Sequence, residues 1–149
     1  MRNYVSKKWY ESRDHRKFTY PKDVDKELVP MLDVFNNIPG VRTVYSCCGH
    51  GYPGWYMMFY TASDYMANVL EDYFNTKGMG KLDPSLEFQV ERCDDGWKDW
   101  NPVPENRITI YCDNLGMMKT EARRKEYAKM CEFFSQYAPR REWEKVHEF

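Results

Sequence analysis

The sequence predicts an α+β fold: a mostly antiparallel four-stranded sheet with helices packed on one face, in the order α-β-β-α-β-β-α. Three observations predict it. Segments of alternating or continuous apolar character arrive in pairs, segments with a helical apolar stripe flank and separate those pairs, and Gly, Pro and Asn clusters mark the joins.

The first helix is expected over residues 25–37, where Leu28, Met31, Leu32 and Phe35 share one face. Pro30 is tolerated there only in the first turn, where its missing N–H would have had no partner. Asn36-Asn37-Ile38-Pro39-Gly40 stops the helix and turns the chain. Strands follow at 41–47 and 55–61, the second apolar almost throughout, as a strand covered on both faces should be. Ser63 is placed to cap a helix reaching about Lys77, with Met66, Val69, Leu70, Tyr73 and Phe74 inward and Gly78 at its end. Residues 86–93 alternate most clearly, with Leu86, Phe88 and Val90 on one side and Glu87, Gln89 and Glu91 on the other. After a loop holding Trp97 and Trp100, a strand over 107–113 buries Ile108, Ile110 and Cys112. The last helix spans about 119–137, with Tyr127, Met130, Cys131 and Phe134 as its core face.

A length of 149 residues suits one domain with one core, here residues 21–149. Residues 1–20 read as an arm in which Arg2, Lys7, Lys8, Arg13, Arg16 and Lys17 interleave with Tyr4, Trp9, Tyr10, Phe18 and Tyr20. Such an arm either lays its aromatics over the core or grips single-stranded nucleic acid. A net charge of −1, from 22 basic and 23 acidic residues, argues against a dedicated duplex-DNA binder. No apolar run approaches the roughly 20 residues that span a bilayer. The first residues lack the apolar core of a secretory signal, and five cysteines, an odd number, read as reduced thiols. The expected location is the cytoplasm.

The segment richest in chemistry is Ser46-Cys47-Cys48-Gly49-His50-Gly51, at the end of the first strand. Gly49 and Gly51 free the backbone to aim several N–H groups at one point, a concavity that receives anions. Ser46 adds a hydroxyl, His50 a switchable charge, and Arg42 a fixed charge, which regular alternation would put on the same strand face as Ser46. Trp55, directly after the turn, is expected to supply a stacking wall. The expected ligand contacts are therefore Arg42, Ser46, Cys47, Cys48, Gly49, His50, Gly51 and Trp55, and a side chain at Gly49 would close the ligand's approach to the backbone.

Other chemistry at the turn competes with this. Cys47 or Cys48 with His50 forms half of a zinc site, but the second short-spaced pair that zinc sites carry is missing, so no metal is expected. A cysteine nucleophile would need an orienting carboxylate, and none stands nearby in sequence. His50 also suits general acid–base work at neutral pH. No catalytic residue is assigned, and the cofactor is left open.

The stretch Ile38-Pro39-Gly40 through Ser46-Cys47-Cys48-Gly49-His50-Gly51 resembles small phage and bacterial proteins that carry a helix, Pro-Gly, and a strand ending in Ser-Cys-x-Gly-His. That resemblance covers about 35 residues and implies a bacterial or phage-infected cytoplasm. More distantly, Ser46, Cys47 and Gly49 are similar to the Ser-Ser-Cys-x-Gly-Arg turn of the wybutosine-synthesis transfer-RNA methyltransferase family. Tyr45 replaces its first Ser and His50 its Arg, so the likeness implies a shared scaffold with a site at this turn and does not imply methyl transfer. The leading expectation is a small cytosolic protein that holds a phosphate-bearing small molecule or nucleotide, as a phage accessory protein sequestering a host molecule would. The alternatives are an RNA- or nucleotide-modifying enzyme using His50 and a cysteine, and a protein–protein inhibitor.

Overall fold

The structure, a computed structural model, describes residues 22–61, 64–93 and 106–137. It is an α+β fold with one four-stranded sheet, antiparallel at every pairing. The strands are β1 (Val41–Cys47), β2 (Tyr56–Thr61), β3 (Gln89–Cys93) and β4 (Asn106–Tyr111), in the spatial order β1-β2-β4-β3. The helices are α1 (Val29–Asn36), α2 (Asp64–Asn75), α3 (Asp113–Met117) and α4 (Thr120–Phe134).

The core lies between one face of the sheet and the helices. Met57 and Phe59 of β2 and Ile108 and Ile110 of β4 meet Met31, Leu32 and Phe35 of α1, Leu70 and Phe74 of α2, and Met130 and Phe134 of α4. Pro30 falls in the first turn of α1, which a short 3₁₀ turn, Lys26–Leu28, precedes. Gly78 ends α2 as expected, with a left-handed φ of 61° and its N–H bonded to the Tyr73 carbonyl at 2.7 Å.

Three elements differ from expectation. The third strand starts at Gln89 rather than Leu86, because the Glu87 N–H donates to the Asn114 side chain (3.1 Å) and not to a neighbouring strand. The fourth strand ends at Tyr111, and the chain turns at once into α3, a five-residue helix without an apolar stripe to announce it. The last helix ends at Phe134 and closes in a 3₁₀ turn, Ser135–Tyr137. The arm, Ser63 and the loop of Trp97 and Trp100 lie outside the described residues.

One irregularity shapes the site. The β1–β2 register slips between Thr43 and Tyr45, a bulge at Val44. Directly paired residues share a face, and before the slip Val41 and Thr43 pair with Thr61 and Phe59 on the core side. After it, Ser46 pairs with core-facing Met57, while Tyr45 and Cys47 pair with Met58 and Tyr56 on the outer face. Arg42 pairs with Tyr60, also outward. The expectation that Arg42 and Ser46 share a face is therefore corrected: one extra residue between them turns them to opposite sides.

Candidate functional site

The turn after β1 closes against α3. The Gly51 N–H donates to the Gly116 carbonyl (3.0 Å), and the Tyr52 N–H donates to the Gly49 carbonyl (2.8 Å). Gly49, His50 and Gly51 all have left-handed φ values, 79°, 54° and 89°. A Cβ on Gly49 would stand 2.5 Å from Gly116 Cα and 2.7 Å from the Tyr52 carbonyl oxygen. Gly49 is thus required by backbone packed against backbone, which corrects the view that it leaves room for a ligand.

A carboxylate absent from the sequence expectation completes the turn. Asp25, just before the 3₁₀ turn that leads into α1, accepts the Cys48 N–H at Oδ2 (2.8 Å), and its Oδ1 lies 3.2 Å from His50 Nε2. The other ring nitrogen, Nδ1, lies 3.5 Å from Cys48 Sγ. The Gly49 N–H donates to Cys47 Sγ (3.5 Å). Donor atoms of Asp25, Cys47 and His50 all lie within 4.8 Å of one another. No spacing rule links Asp25 to residues more than twenty positions away; its only signal was an acidic residue at a helix entrance.

Four backbone N–H groups of the turn, those of Cys48, Gly49, Gly51 and Tyr52, are thus bonded within the protein. The anion nest expected from the two glycines is not open in this form.

Those side chains divide by exposure. His50 is 63% exposed in its side chain and leans on Asp25, which is 16% exposed. Cys47 is half-buried, whereas Cys48 is buried at 2%. Burial, chiefly, pushes the Cys48 thiol up to about 11, with the charges of Glu27 and Asp25 in support. Trp55, expected as a stacking wall, is fully buried and donates from Nε1 to the Tyr127 hydroxyl (3.0 Å), so it serves the core. Its neighbour Tyr56 faces outward instead. Cys47, Tyr56, Tyr111 and Gln89 form one row across the outer face, and the Tyr56 and Tyr111 rings lie 6.4 Å apart.

Beneath the turn runs a buried polar network. Arg123 Nε and Nη2 donate to the two carboxylate oxygens of Glu27 (2.7 and 2.8 Å). The Tyr127 hydroxyl donates to Glu27 Oε2 (2.9 Å), and Arg123 Nη1 donates to the carbonyls of Gly116 and Met118. Arg123 therefore ties the helix against which Gly49 packs to the segment that carries Asp25. Arg123 and Glu126 read as solvent-facing residues of an amphipathic helix, yet both are buried, at 3% and 4%.

The thiols should report this environment. At pH 8, alkylation followed by peptide mass spectrometry is expected to label Cys47 and Cys93 first among the described cysteines. Cys48 and Cys131, both pushed up to about 11 with burial as the largest cause, should react more slowly, Cys48 slowest because it is also buried. Labelling of Cys48 as fast as Cys47 would show that the turn opens freely.

The chain matches no protein-family model, no curated protein and no solved structure, so the chemistry of the turn rests on its own geometry. No described helix is long and apolar enough to cross a membrane.

Proposed function

We propose that the chain is a small binding protein that holds a phosphate-bearing small molecule, a nucleotide in the best fit, at the Ser46–Gly51 end of the sheet. The observation that carries this is the meeting of two unlike surfaces at Cys47. On one side stands His50, exposed and paired with Asp25 through Nε2; turned from Asp25, the protonated ring can donate to a phosphate oxygen. On the other runs the Tyr56–Tyr111 row, with Tyr45 63% exposed one step along the same face. A ring laid on such a shelf gains about 1–3 kcal/mol by stacking. The buried Cys48 thiol is a poor nucleophile, since it is neither accessible nor readily ionised.

Calorimetric titration with nucleoside phosphates, the parent nucleosides and inorganic phosphate tests the proposal. Replacing His50 by Ala should weaken nucleotide binding roughly 10- to 150-fold, the worth of a charge-assisted hydrogen bond. Tyr111→Ala should weaken nucleotides and nucleosides alike, by about 5- to 150-fold. Arg42→Ala should cost less than either, because Arg42 lies about 16 Å from Cys47 along the strand. If none of the panel binds the intact protein, the proposal is wrong.

A further inference from the structure

We propose that Asp25, Cys47 and His50 bind a zinc ion at the turn. The inference deepens the binding reading above and rests on it for the metal's role, since a cation there would supply the positive charge that a phosphate needs beside Asp25.

The first support is distance. Two O or N ligands about 2.0–2.1 Å from a tetrahedral zinc are roughly 3.3 Å apart. Asp25 Oδ1 and His50 Nε2 are 3.2 Å apart, so this pair already has the spacing of two zinc ligands. Cys47 Sγ lies within 4.8 Å of a carboxylate oxygen of Asp25 and a ring nitrogen of His50, so about 1 Å of side-chain movement would bring it to a thiolate's bonding distance. Because Cys47 is half-buried and His50 is exposed, the ion would face solvent on one side and keep a position open for water or a phosphate oxygen.

The second support is that each donor is oriented by a different group of the turn, as metal ligands commonly are. The Cys48 N–H occupies Asp25 Oδ2 and leaves Oδ1 facing His50. Cys48 Sγ meets His50 Nδ1, and the Gly49 N–H points at Cys47 Sγ. The Cys48 thiol can donate to Nδ1 with Nε2–H on Asp25, or accept from it; in the second tautomer the Nε2 lone pair and Asp25 Oδ1, 3.2 Å apart, can be bridged by a metal ion. The mixed O, N and S donor set suits zinc over magnesium or calcium, which prefer oxygen alone. Asp25 also explains why the pattern is not visible in sequence: the third ligand replaces the missing second half-site from across the fold.

The test is titration of zinc into the full, reduced chain against a chromophoric chelator, without phosphate or nucleotide, with cobalt(II) as a spectroscopic substitute. One zinc per chain is expected, and a thiolate-to-cobalt charge-transfer band. Cys47→Ser should abolish both. Asp25→Asn, which keeps an oxygen to accept the Cys48 N–H, should weaken zinc at least 10-fold while circular dichroism and melting stay near those of the parent. Cys93→Ser should change nothing. No stoichiometric zinc, or zinc binding indifferent to Cys47→Ser and Asp25→Asn, overturns the site. Zinc failing while nucleotides still bind would remove the metal and leave the binding proposal standing; zinc binding with no nucleotide affinity would do the reverse.

Discussion

Arg123→Ala is expected to destabilise the protein by about 3–5 kcal/mol, the cost of leaving a buried charge without its partner. The Arg123 side chain is 4% exposed and that of its partner Glu27 is 12%, so little water is at hand to take over either role. Glu27 would lose both guanidinium hydrogen bonds, and the carbonyls of Gly116 and Met118 would lose their donor. Replacing the pair together, as Glu27→Leu with Arg123→Met, should cost much less than the single change, because no charge is then stranded. Urea unfolding of the parent, both single variants and the double variant measures this coupling.

The pair also sets a pH dependence. Burial alone would raise the Glu27 carboxyl, but hydrogen bonds from Arg123 and Tyr127, with the charge of Arg123, hold it below its ordinary value. A carboxyl lowered in the folded state contributes stability above its unfolded-state value, and that stability is lost as pH falls through the folded-state value. Acid should therefore erode the parent's stability more steeply than that of the double variant. Parallel slopes below pH 5 would show that Glu27 is not the group that matters.

Gly49→Ala is expected to destabilise on the order of 3–5 kcal/mol as well, through two costs that add. A left-handed backbone at a non-glycine residue costs about 1–3 kcal/mol, and the new methyl would collide with main-chain atoms of Gly116 and Tyr52 that no rotamer change can move. Gly51→Ala is the control. It shares the left-handed φ but meets nothing within 4 Å, so its penalty should stay within the conformational cost alone. Thermal melts of the two variants separate packing from backbone strain, and equal penalties would mean that the contact with Gly116 is slack.

Much of this architecture is legible in the sequence because burial imposes a period on it. The alternation of Phe88, Val90 and their acidic neighbours, and the stripe of Leu70, Tyr73 and Phe74, each reflect one face against the core. The turn itself was legible by composition, since two glycines two residues apart at a strand end break the strand and allow left-handed backbone. Its partners were not. Asp25 is joined to Cys48 and His50 only by folding, and Val44, the bulged residue, is as ordinary a strand residue as Val41. Trp55 was misjudged because an aromatic beside a glycine loop looks the same whether it lines a pocket or anchors the loop; only its bond to Tyr127 decides. Arg123 and Glu126 were hidden for a related reason: a charged residue on a helix signals solvent until its counter-charge, from a distant segment, is known to be buried with it.

The bulge in β1 has a consequence for how copies of this chain meet one another. Among the described residues β1 and β3 border the sheet, and a border strand can serve as a template for another extended chain. At Val44 the slip breaks the even spacing of those groups, so a second strand could not continue past it in one register. At the opposite border β3 is only five residues long and carries Glu91 and Arg92. Both borders of the sheet, as formed by the described strands, are thus poor templates for growth.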